Sequence, residues 1–309
     1  MTLVANPDWK GDKPAFNKIE YFVVTDDQAA LLAYEAKSFD YTRVAMSAAK
    51  ELKAKLPADS RLIEAQSTRY VWLTINMNAE PLKDIRVRQA LQYAYDGEAV
   101  VQGSYDGLTS RSTGVVPAGP KFSRAQNRIA SRDVEKAKAL LAEAGVSGLM
   151  LNLYCLTDSV SQSTAQIIQA SLAEAGITIN IQPTEDAAYW ALGDKSQGDG
   201  YKSVELVLMN FAGGIDPTEN LVWFRPDQIG IYNWSFFDSK DFEDLYQQGL
   251  VEQDDAKRKE IFNRMEDLME DSGGFIFICF EPFLAIQRAG LKPVILADGH
   301  PDPTQFSKD

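Results

Sequence analysis

The sequence of 309 residues predicts a mixed α/β fold in which mixed sheets are flanked by helices and one domain is inserted within another. Two observations carry this prediction. Helical segments with one apolar face alternate with short apolar runs of strand length. Most of these segments also begin or end at a residue typical of a helix cap. Apolar residues make up 45% of the chain, which is enough for a substantial core.

The N-terminal part of the chain contributes two predicted strands and two predicted helices. β-Branched and aromatic runs predict strands over residues 19–24 and 70–75. Asp26 offers a cap to a helix over 27–37. Asp84 caps a second helix, whose apolar residues recur at helical spacing: Val87, Ala90, Leu91, Ala94 and Tyr95.

The middle of the chain begins with an irregular stretch and continues with two matching helix-to-strand units. Residues 103–130 contain glycine, serine and proline without periodicity, which predicts a long loop. In each unit a helix ends in Leu-Ala-Glu-Ala-Gly, at Gly145 or Gly176, and a strand follows over 149–156 or 177–182. Each glycine stands where a residue in the left-handed region would end the helix. The repeat therefore indicates α/β layers.

The last third adds two strands and a helix. A continuous apolar run predicts a buried strand over 204–209. Asp254 or Asp255 caps a helix whose apolar residues share one face: Ile261, Phe262, Met265, Leu268 and Met269. A strand over 275–280 follows this helix directly.

No Pro- or Ser-rich linker divides the chain, so the domain boundaries are indicated only by changes in composition. Composition changes near residues 76–81 and again at Glu281-Pro282. If the chain crosses between domains at both points, the segment between them is an inserted domain whose two ends lie close together.

Net charge and hydropathy exclude several classes of function. Lys and Arg number 31 against 44 Asp and Glu, so the formal net charge is −13 at pH 7. An acidic surface repels phosphate backbones and anionic lipids, which argues against nucleic acid as a partner and against a membrane-surface protein. No apolar run approaches the ~20 residues of a membrane-spanning helix. The first residues have neither a basic start nor an apolar stretch, so no secretion signal is visible.

The chain offers few groups for metal or catalytic chemistry. His300, Cys155 and Cys279 make a thin ligand set, and we predict no metal site and no cofactor. Both cysteines lie in apolar, strand-like runs, which favours buried thiols over a disulfide and leaves the compartment open. No nucleophile elbow, P-loop or Rossmann fingerprint occurs, and nothing singles out a catalytic pair among the 44 acidic residues.

Aromatic residues concentrate between residues 210 and 234, among Gly, Pro, Arg, Asp and Asn. The rings are Phe211, Trp223, Phe224, Tyr232 and Trp234. Flat rings in an irregular loop, beside a few polar groups, suit a concave ligand-binding surface. The alternative is that the rings cover the core beneath an irregular connection, which is the more frequent role of any single ring. Taken together, the segment favours ligand contact.

Four stretches, the last of them in two parts, resemble motifs of the extracellular solute-binding proteins of family 5, the oligopeptide- and dipeptide-binding type that serves ABC importers. Residues 6–14, NPDWKGDKP, resemble N-P-x-Y/W-x-G-x-x-P, and residues 84–96, DIRVRQALQYAYD, resemble D-x-R-V-R-Q-A-x-x-Y-A-x-D. Residues 137–145, AKALLAEAG, resemble A-K-x-L-L-x-E-A-G. Residues 216–220, DPTEN, and Asn233-Trp234 resemble the D-P-x-x-N and N-W/Y elements of the ligand lobe. Order and spacing agree over nearly the whole chain.

The resemblance implies a fold of the periplasmic-binding-protein type, a lobe of the type II clamp. By analogy, residues 1–75 are the middle part of domain I, 76–281 are domain III, the ligand lobe, and 282–309 return to domain I. In the family the N-P-x-W motif follows the first part of domain I and all of domain II. We therefore expect that the N-terminal part with domain II is absent from this chain, together with the signal peptide.

The resemblance also implies a binding function without catalysis. We expect a periplasmic, monomeric substrate-binding protein that takes up a small-molecule or peptide-like ligand between two lobes and delivers it to the membrane permease of an ABC importer. The alternatives are a carboxylate-dependent hydrolase and the ligand-sensing module of a regulator. Two acids converging in a cleft would favour the hydrolase, and a DNA-binding segment upstream would favour the regulator.

A departure from the family pattern bears on the ligand. In peptide-binding members an aspartate just before the D-P element holds the α-ammonium of the peptide, and Gly213 occupies the matching position here. An unpaired buried ammonium is costly, so the ligand is expected to be an opine, a sugar conjugate or a modified peptide. The rings are expected to stack on it, with Arg225 or Asn233 at its polar groups. The expected ligand contacts are Asn210, Phe211, Gly213, Trp223, Arg225, Tyr232, Asn233 and Trp234.

Overall fold

The computed structural model describes residues 1–24, 26–117 and 121–308. These residues form two compact units, one of Met1–Thr68 with Glu281–Asp309 and one of Arg69–Phe280. No helix among them is both long and apolar enough to cross a membrane.

Helices and strands alternate along most of the chain, as the sequence predicts. The α-helices are α1 (Asp27–Glu35), α2 (Ala49–Ala54), α3 (Ile85–Ala94), α4 (Gly97–Tyr105), α5 (Val134–Glu143), α6 (Ser159–Ala173), α7 (Asp186–Ala191), α8 (Pro217–Leu221), α9 (Lys240–Val251) and α10 (Asp255–Asp271). The strands are β1 (Thr2–Val4), β2 (Lys18–Glu20), β3 (Tyr41–Arg43), β4 (Ser60–Ile75), β5 (Met150–Leu156), β6 (Thr178–Thr184), β7 (Leu206–Phe211), β8 (Phe275–Arg288), β9 (Leu291–Lys292) and β10 (Ser307–Lys308). The mixed α/β class is therefore confirmed.

The unit of residues 1–68 and 281–309 is built on short antiparallel pairs. Strand β1 pairs with β2, β9 with β10, and β3 with the second half of β8. Tyr34 on α1 is fully buried, and its hydroxyl donates a hydrogen bond of 2.7 Å to Oγ of Ser60. The guanidinium of Arg288 lies 4.1 Å from the centre of the Tyr34 ring, a cation–π contact.

The unit of residues 69–280 contains a mixed sheet with the strand order β8-β4-β7-β5-β6. Strand β7 is antiparallel to β4, with Tyr70 opposite Phe211, and parallel to β5, which is parallel to β6. An aromatic core packs on this sheet around Trp72, whose ring centre lies 5.3 Å from that of Phe224. Phe224 in turn meets Phe275 edge to face at 5.4 Å. The sheet thus positions the loops that follow β6 and β7.

Helix caps appear where the sequence predicts them. Asp26, Asp84 and Asp254 each accept a backbone N–H bond at the start of a helix. Gly145 and Gly176 have φ of +69° and +82°, and they follow α5 and α6 as predicted.

Several predicted boundaries require correction. The strand predicted over 19–24 is limited to β2, and its later residues are largely exposed, so no buried face selects an extended pairing there. Helix α4 was not predicted, and it enters the stretch taken as irregular. It is buried at Val100 and Val101, so packing against the core stabilises it despite two glycines in nine residues. Strands β4 and β8 are also longer than predicted.

A buried charge cluster fastens the loop after α4 to helix α10. Oε1 of Glu266, which is fully buried, accepts hydrogen bonds from the backbone N–H groups of Val115 and Val116 at 2.7 and 2.9 Å. Arg124 donates to Thr113 and ion-pairs with Glu270 at 2.7 Å. Burial raises the pKa of Glu266 to about 7, against the lowering effect of Arg124 and the two backbone bonds.

Both cysteines are buried thiols that form no disulfide bond with each other, as the sequence analysis favours. Burial raises the pKa of the Cys155 thiol to about 11, so it stays protonated at neutral pH.

Candidate functional site

A cavity of about 560 Å³ opens in the unit of residues 69–280, beside the ends of β6 and β7. Its lining residues are Trp190, Asp194, Phe211, Ala212, Trp223, Ile231 and Tyr232. Aromatic and aliphatic side chains dominate this wall, and Tyr232 and Ile231 remain 38% and 41% exposed. The volume lies within the range of small-molecule sites, and exposed apolar surface of this kind is typical of ligand contact.

Three of the predicted contacts form a compact ring cluster in the cavity wall. The ring centres of Trp223 and Tyr232 are 5.0 Å apart at 73°, and Phe211 lies 6.0 Å from Trp223 and 5.8 Å from Tyr232. All three contacts are edge to face, so the rings fix one another's orientation. Trp190 stacks on Phe211 at 6.0 Å and 18° and extends this surface.

The secondary structure explains how residues far apart in sequence meet here. Phe211 is the last residue of β7, and its ring also touches Trp72 of β4 at 5.0 Å. Trp190 lies on α7, immediately after β6, and Trp223 lies in a short 3-10 helix after α8. Because β6 and β7 both flank β5 and run parallel to it, their C-terminal ends lie at the same edge of the sheet.

Trp234 lies in the core beneath the cavity and not in its wall. It is 4% exposed, and its Nε1 donates a hydrogen bond of 2.8 Å to the carbonyl of Ile231. A Cβ on Gly193 would come within 1.9 Å of the Trp234 ring, so only glycine lets the chain pass there. The ring of Trp190 also packs against Trp234, with the ring centres 5.9 Å apart. The structure thus places Trp234 as a support beneath the wall, whereas the sequence analysis expects its ring to stack on a ligand.

Asn233 is also interior, and its amide is fully engaged in hydrogen bonds. It is 1% exposed, and its Nδ2 donates to the carbonyls of Phe224, Arg225 and Phe237. Its Oδ1 accepts from Oγ of Ser235 and from the backbone N–H of Phe237. These bonds hold the loop that carries Trp223 and Tyr232. The structure therefore gives Asn233 a structural role, whereas the sequence analysis expects Arg225 or Asn233 to meet a polar group of the ligand.

The guanidinium of Arg225 is bound by other side chains of the same protein. Its Nε and Nη2 each donate to a carboxylate oxygen of Glu243 at 2.8 Å, and its guanidinium lies 4.9 Å from the Tyr246 ring centre. The paired Glu243 carboxylate raises the pKa of Arg225. Asn210 accepts a hydrogen bond of 3.1 Å from Arg69, and Gly213 is buried. None of these three lines the cavity.

The D-P-x-x-N element builds a turn. Oδ1 of Asp216 caps α8 by accepting from the backbone N–H of Thr218, and both of its carboxylate oxygens accept from Arg258. Burial acts to raise the pKa of Asp216, but the hydrogen bonds from Arg258 and Thr218 together outweigh it, so the pKa is lowered. Oδ1 of Asn220 accepts from the N–H of Gly214 at 2.8 Å. The motif therefore shapes the chain between β7 and the cavity.

Sequence reasoning missed four wall residues: Ala212 and Ile231, which lie within the aromatic segment 210–234, and Trp190 and Asp194, which do not. The latter two lie ahead of this segment, in the sequence Asp-Ala-Ala-Tyr-Trp-Ala-Leu-Gly-Asp. The available signal was the aromatic pair Tyr189-Trp190, which lies in the segment that follows the strand predicted over 177–182 and shortly before Gly193. Of this pair Tyr189 is buried, and its hydroxyl donates to the carbonyl of Leu208 at 2.7 Å. Trp190 therefore turns outward into the wall.

Comparisons with known proteins give a family match and two curated relatives that agree with it. Residues 1–227 match the family described as bacterial extracellular solute-binding proteins, family 5 middle. The dipeptide-binding protein of Escherichia coli K12 is 27% identical in an alignment of 286 residues that covers 88% of this chain and 52% of that protein. The glutathione-binding protein of Escherichia coli O1:K1 is 26% identical over 92% of this chain and 56% of its own length. The chain thus spans about half the length of these curated relatives.

A solved structure of another protein has the same fold. The dipeptide-binding protein of Pseudoalteromonas sp. SM9913, in complex with Met-Leu, superposes with a TM-score of 0.88 at 19% identity, over all of this chain and 61% of that one. The fold is that of the periplasmic binding proteins of the type II clamp, as expected. Since the family match covers more than half of the sequence, this chain belongs to the bacterial extracellular solute-binding proteins of family 5.

Proposed function

We propose that this chain binds a small solute as the substrate-binding component of an ABC importer outside the cytoplasmic membrane, without catalysing a reaction. The solute contacts Phe211, Trp223 and Tyr232 in the aromatic cavity. The bound protein then docks as a monomer on the permease. Residues 69–280 take the part of the ligand lobe in this proposal.

The observation that carries the proposal is the cavity wall of half-buried aromatic rings. Rings supply contact area at little cost in conformational entropy, and their mutual edge-to-face contacts hold the wall in shape before a ligand arrives. Family membership and the names of the relatives, which include dipeptide- and glutathione-binding proteins, support a solute of that size.

Titration with Met-Leu and with glutathione tests the proposal through tryptophan fluorescence, because Trp190 and Trp223 both line the cavity. We expect saturable quenching by at least one of the two, without turnover. Binding of Met-Leu would overturn the expectation, based on Gly213, that the ligand is not an ordinary peptide. Tyr232→Ala should weaken that binding about tenfold, the effect of removing one aromatic contact of about 1.4 kcal/mol.

Tyr93→Ala is the matched control, since Tyr93 is a half-buried tyrosine in the same unit and does not line the cavity. If Tyr93→Ala and Tyr232→Ala weaken binding equally, the ligand does not bind in the aromatic cavity. Cleavage of either probe at a rate proportional to protein concentration would contradict the non-catalytic function.

A further inference from the structure

The aromatic cavity carries one carboxylate, that of Asp194. The described residues of its wall include no lysine, arginine or histidine. The faces of the aromatic rings carry negative charge density and attract cations, and the Asp194 carboxylate adds a full negative charge beside them. The wall itself therefore favours a cation over an anion, although the charge of Lys195, which does not line the cavity, also acts on the Asp194 carboxylate.

The Asp194 carboxylate is oriented by its neighbours and still has capacity to accept. Its Oδ1 accepts from the backbone N–H of Ser196 at 2.8 Å, and its Oδ2 accepts from Oγ of Ser196 at 2.6 Å and from Gln197 at 3.4 Å. An ionised carboxylate has about four lone-pair sites, so these bonds leave room for a ligand donor. The bonds from Ser196 lower the pKa of Asp194, which keeps it charged at neutral pH.

Two attachments hold the turn around Asp194 against the loop that carries Tyr232. Gly193 lies directly against the Trp234 ring, where no side chain would fit. On the other side, the backbone N–H of Lys195 donates a hydrogen bond of 2.9 Å to the carbonyl of Gly230. The carboxylate is therefore held in place relative to the rings before a ligand binds, which reduces the entropy cost of binding.

We propose that Asp194 determines specificity in this cavity by selecting ligands that present a cationic group, a primary ammonium or a guanidinium, beside an apolar group that packs on Trp223 and Tyr232. This inference rests on the proposed function. It assigns a charge-recognition role to a residue outside the segment 210–234.

Three small probes of similar shape separate charge from apolar contact: phenethylammonium, 3-phenylpropanoate and 2-phenylethanol. Quenching of tryptophan fluorescence at low ionic strength, where charge interactions are least screened, reports binding of each. We expect phenethylammonium to bind at least tenfold more tightly than 3-phenylpropanoate. In Asp194→Asn its affinity should fall about tenfold, whereas the affinity for 2-phenylethanol should stay the same.

Asparagine keeps the cap on the N–H of Ser196, so the turn should survive the substitution. Asp199→Asn is the matched control, because it removes the same charge from an exposed residue that pairs with Lys202 and does not line the cavity. If both variants weaken phenethylammonium binding equally, the effect comes from net charge and the inference is wrong.

The remaining outcomes distinguish the inference from the function on which it rests. Equal binding of all three probes, or no response of phenethylammonium to Asp194→Asn, overturns the role of Asp194 and leaves the apolar site standing. If none of the three probes binds, the inference is also overturned. In that case the titrations with Met-Leu and glutathione decide the proposed function separately.

Discussion

Arg88 shows what the family motif at residues 84–96 does in this protein. It lies in the segment DIRVRQALQYAYD, is 7% exposed, and donates hydrogen bonds to the carbonyls of Leu82, Lys83 and Ser272. Gln92 of the same segment donates to the carbonyls of Glu270 and Phe275. These side chains satisfy buried backbone acceptors, so the residues that identify the family stabilise the fold.

Substitutions of Trp234 and Tyr232 test which ring supports the cavity wall from the core and which ring is available for ligand contact. Trp234→Ala should lower the free energy of unfolding by about 3–5 kcal/mol, because it empties a buried volume between Tyr189, Trp190 and Gly193. Tyr232→Ala should cost less than about 1 kcal/mol, since its ring is already partly in water. Urea unfolding followed by circular dichroism measures both. Similar losses in the two variants would contradict the assignment of Trp234 to the core.

The raised pKa of Glu266 predicts that the free energy of unfolding depends on pH. Its folded-state pKa lies above its ordinary value, at about 7, so the folded protein binds a proton more tightly than the unfolded chain does. The stability that this proton contributes is full below about pH 4.5 and is lost as the pH rises through about 7. Glu266→Gln keeps an acceptor for Val115 and Val116 and removes the titration.

The free energy of unfolding of Glu266→Gln, relative to the parent, should therefore increase between pH 5 and pH 8. The increase should be on the order of 3 kcal/mol at most, since one pKa unit is worth about 1.4 kcal/mol. Urea titrations at several pH values measure it. Glu260→Gln, on the exposed side of the same helix, serves as the control and should show no such trend. A flat difference for Glu266→Gln would mean that this carboxylate does not hold a proton in the folded state.

At the scale of single elements, the two Leu-Ala-Glu-Ala-Gly segments show how local sequence ends a helix. The backbone N–H groups of Val146 and Ile177 donate to the carbonyls of Leu141 and Leu172, closing the last turn of α5 and of α6. This closure places the intervening glycine in the left-handed region. Helix ends of this kind can be predicted from sequence because all their contacts lie within six residues.

Gly176→Ala isolates the cost of that backbone conformation. No atom lies within 4 Å of the position that a Cβ would take, so the substitution changes only the strain at φ of +82°. We expect a loss of about 1–2 kcal/mol in the free energy of unfolding. Gly200→Ala is the control, because it also has open space and its φ is not positive. A loss in Gly200→Ala as large as that in Gly176→Ala would show that conformation is not the cause.

On the scale of the whole molecule, the two compact units support the proposal of an inserted domain. The unit of residues 69–280 contains the aromatic core, the cavity and helices α3 to α10. Its ends, Arg69 and Phe280, lie on neighbouring strands of one sheet, β4 and β8. Closely spaced ends are what an inserted domain requires.

We therefore expect residues 69–280, expressed alone, to fold. The fragment should show a single cooperative urea transition. It keeps Trp72, Trp190, Trp223 and Trp234, so its tryptophan emission maximum should lie at a slightly shorter wavelength than that of the full chain, which also contains the 62% exposed Trp9. Near-ultraviolet circular dichroism provides a second readout of packed aromatic rings. A non-cooperative transition with loss of the near-ultraviolet signal would contradict the inserted domain.

The sequence by itself determined the family, the α/β class and most helices and strands. Caps, left-handed glycines and apolar periodicity act between residues that are near one another in the chain, so local patterns reveal them. Of the eight expected ligand contacts, however, the cavity wall includes Phe211, Trp223 and Tyr232.

Only the tertiary structure decided which rings face the cavity. Trp234 and Tyr232 are two residues apart in the same loop, yet one is 4% exposed and the other 38%. The difference arises because α7 and Gly193, about 40 residues earlier in the chain, cover Trp234 and leave Tyr232 uncovered. Burial of a side chain depends on segments that folding brings together from distant parts of the chain, and for this reason Trp190 and Asp194 emerged as wall residues only in the folded protein.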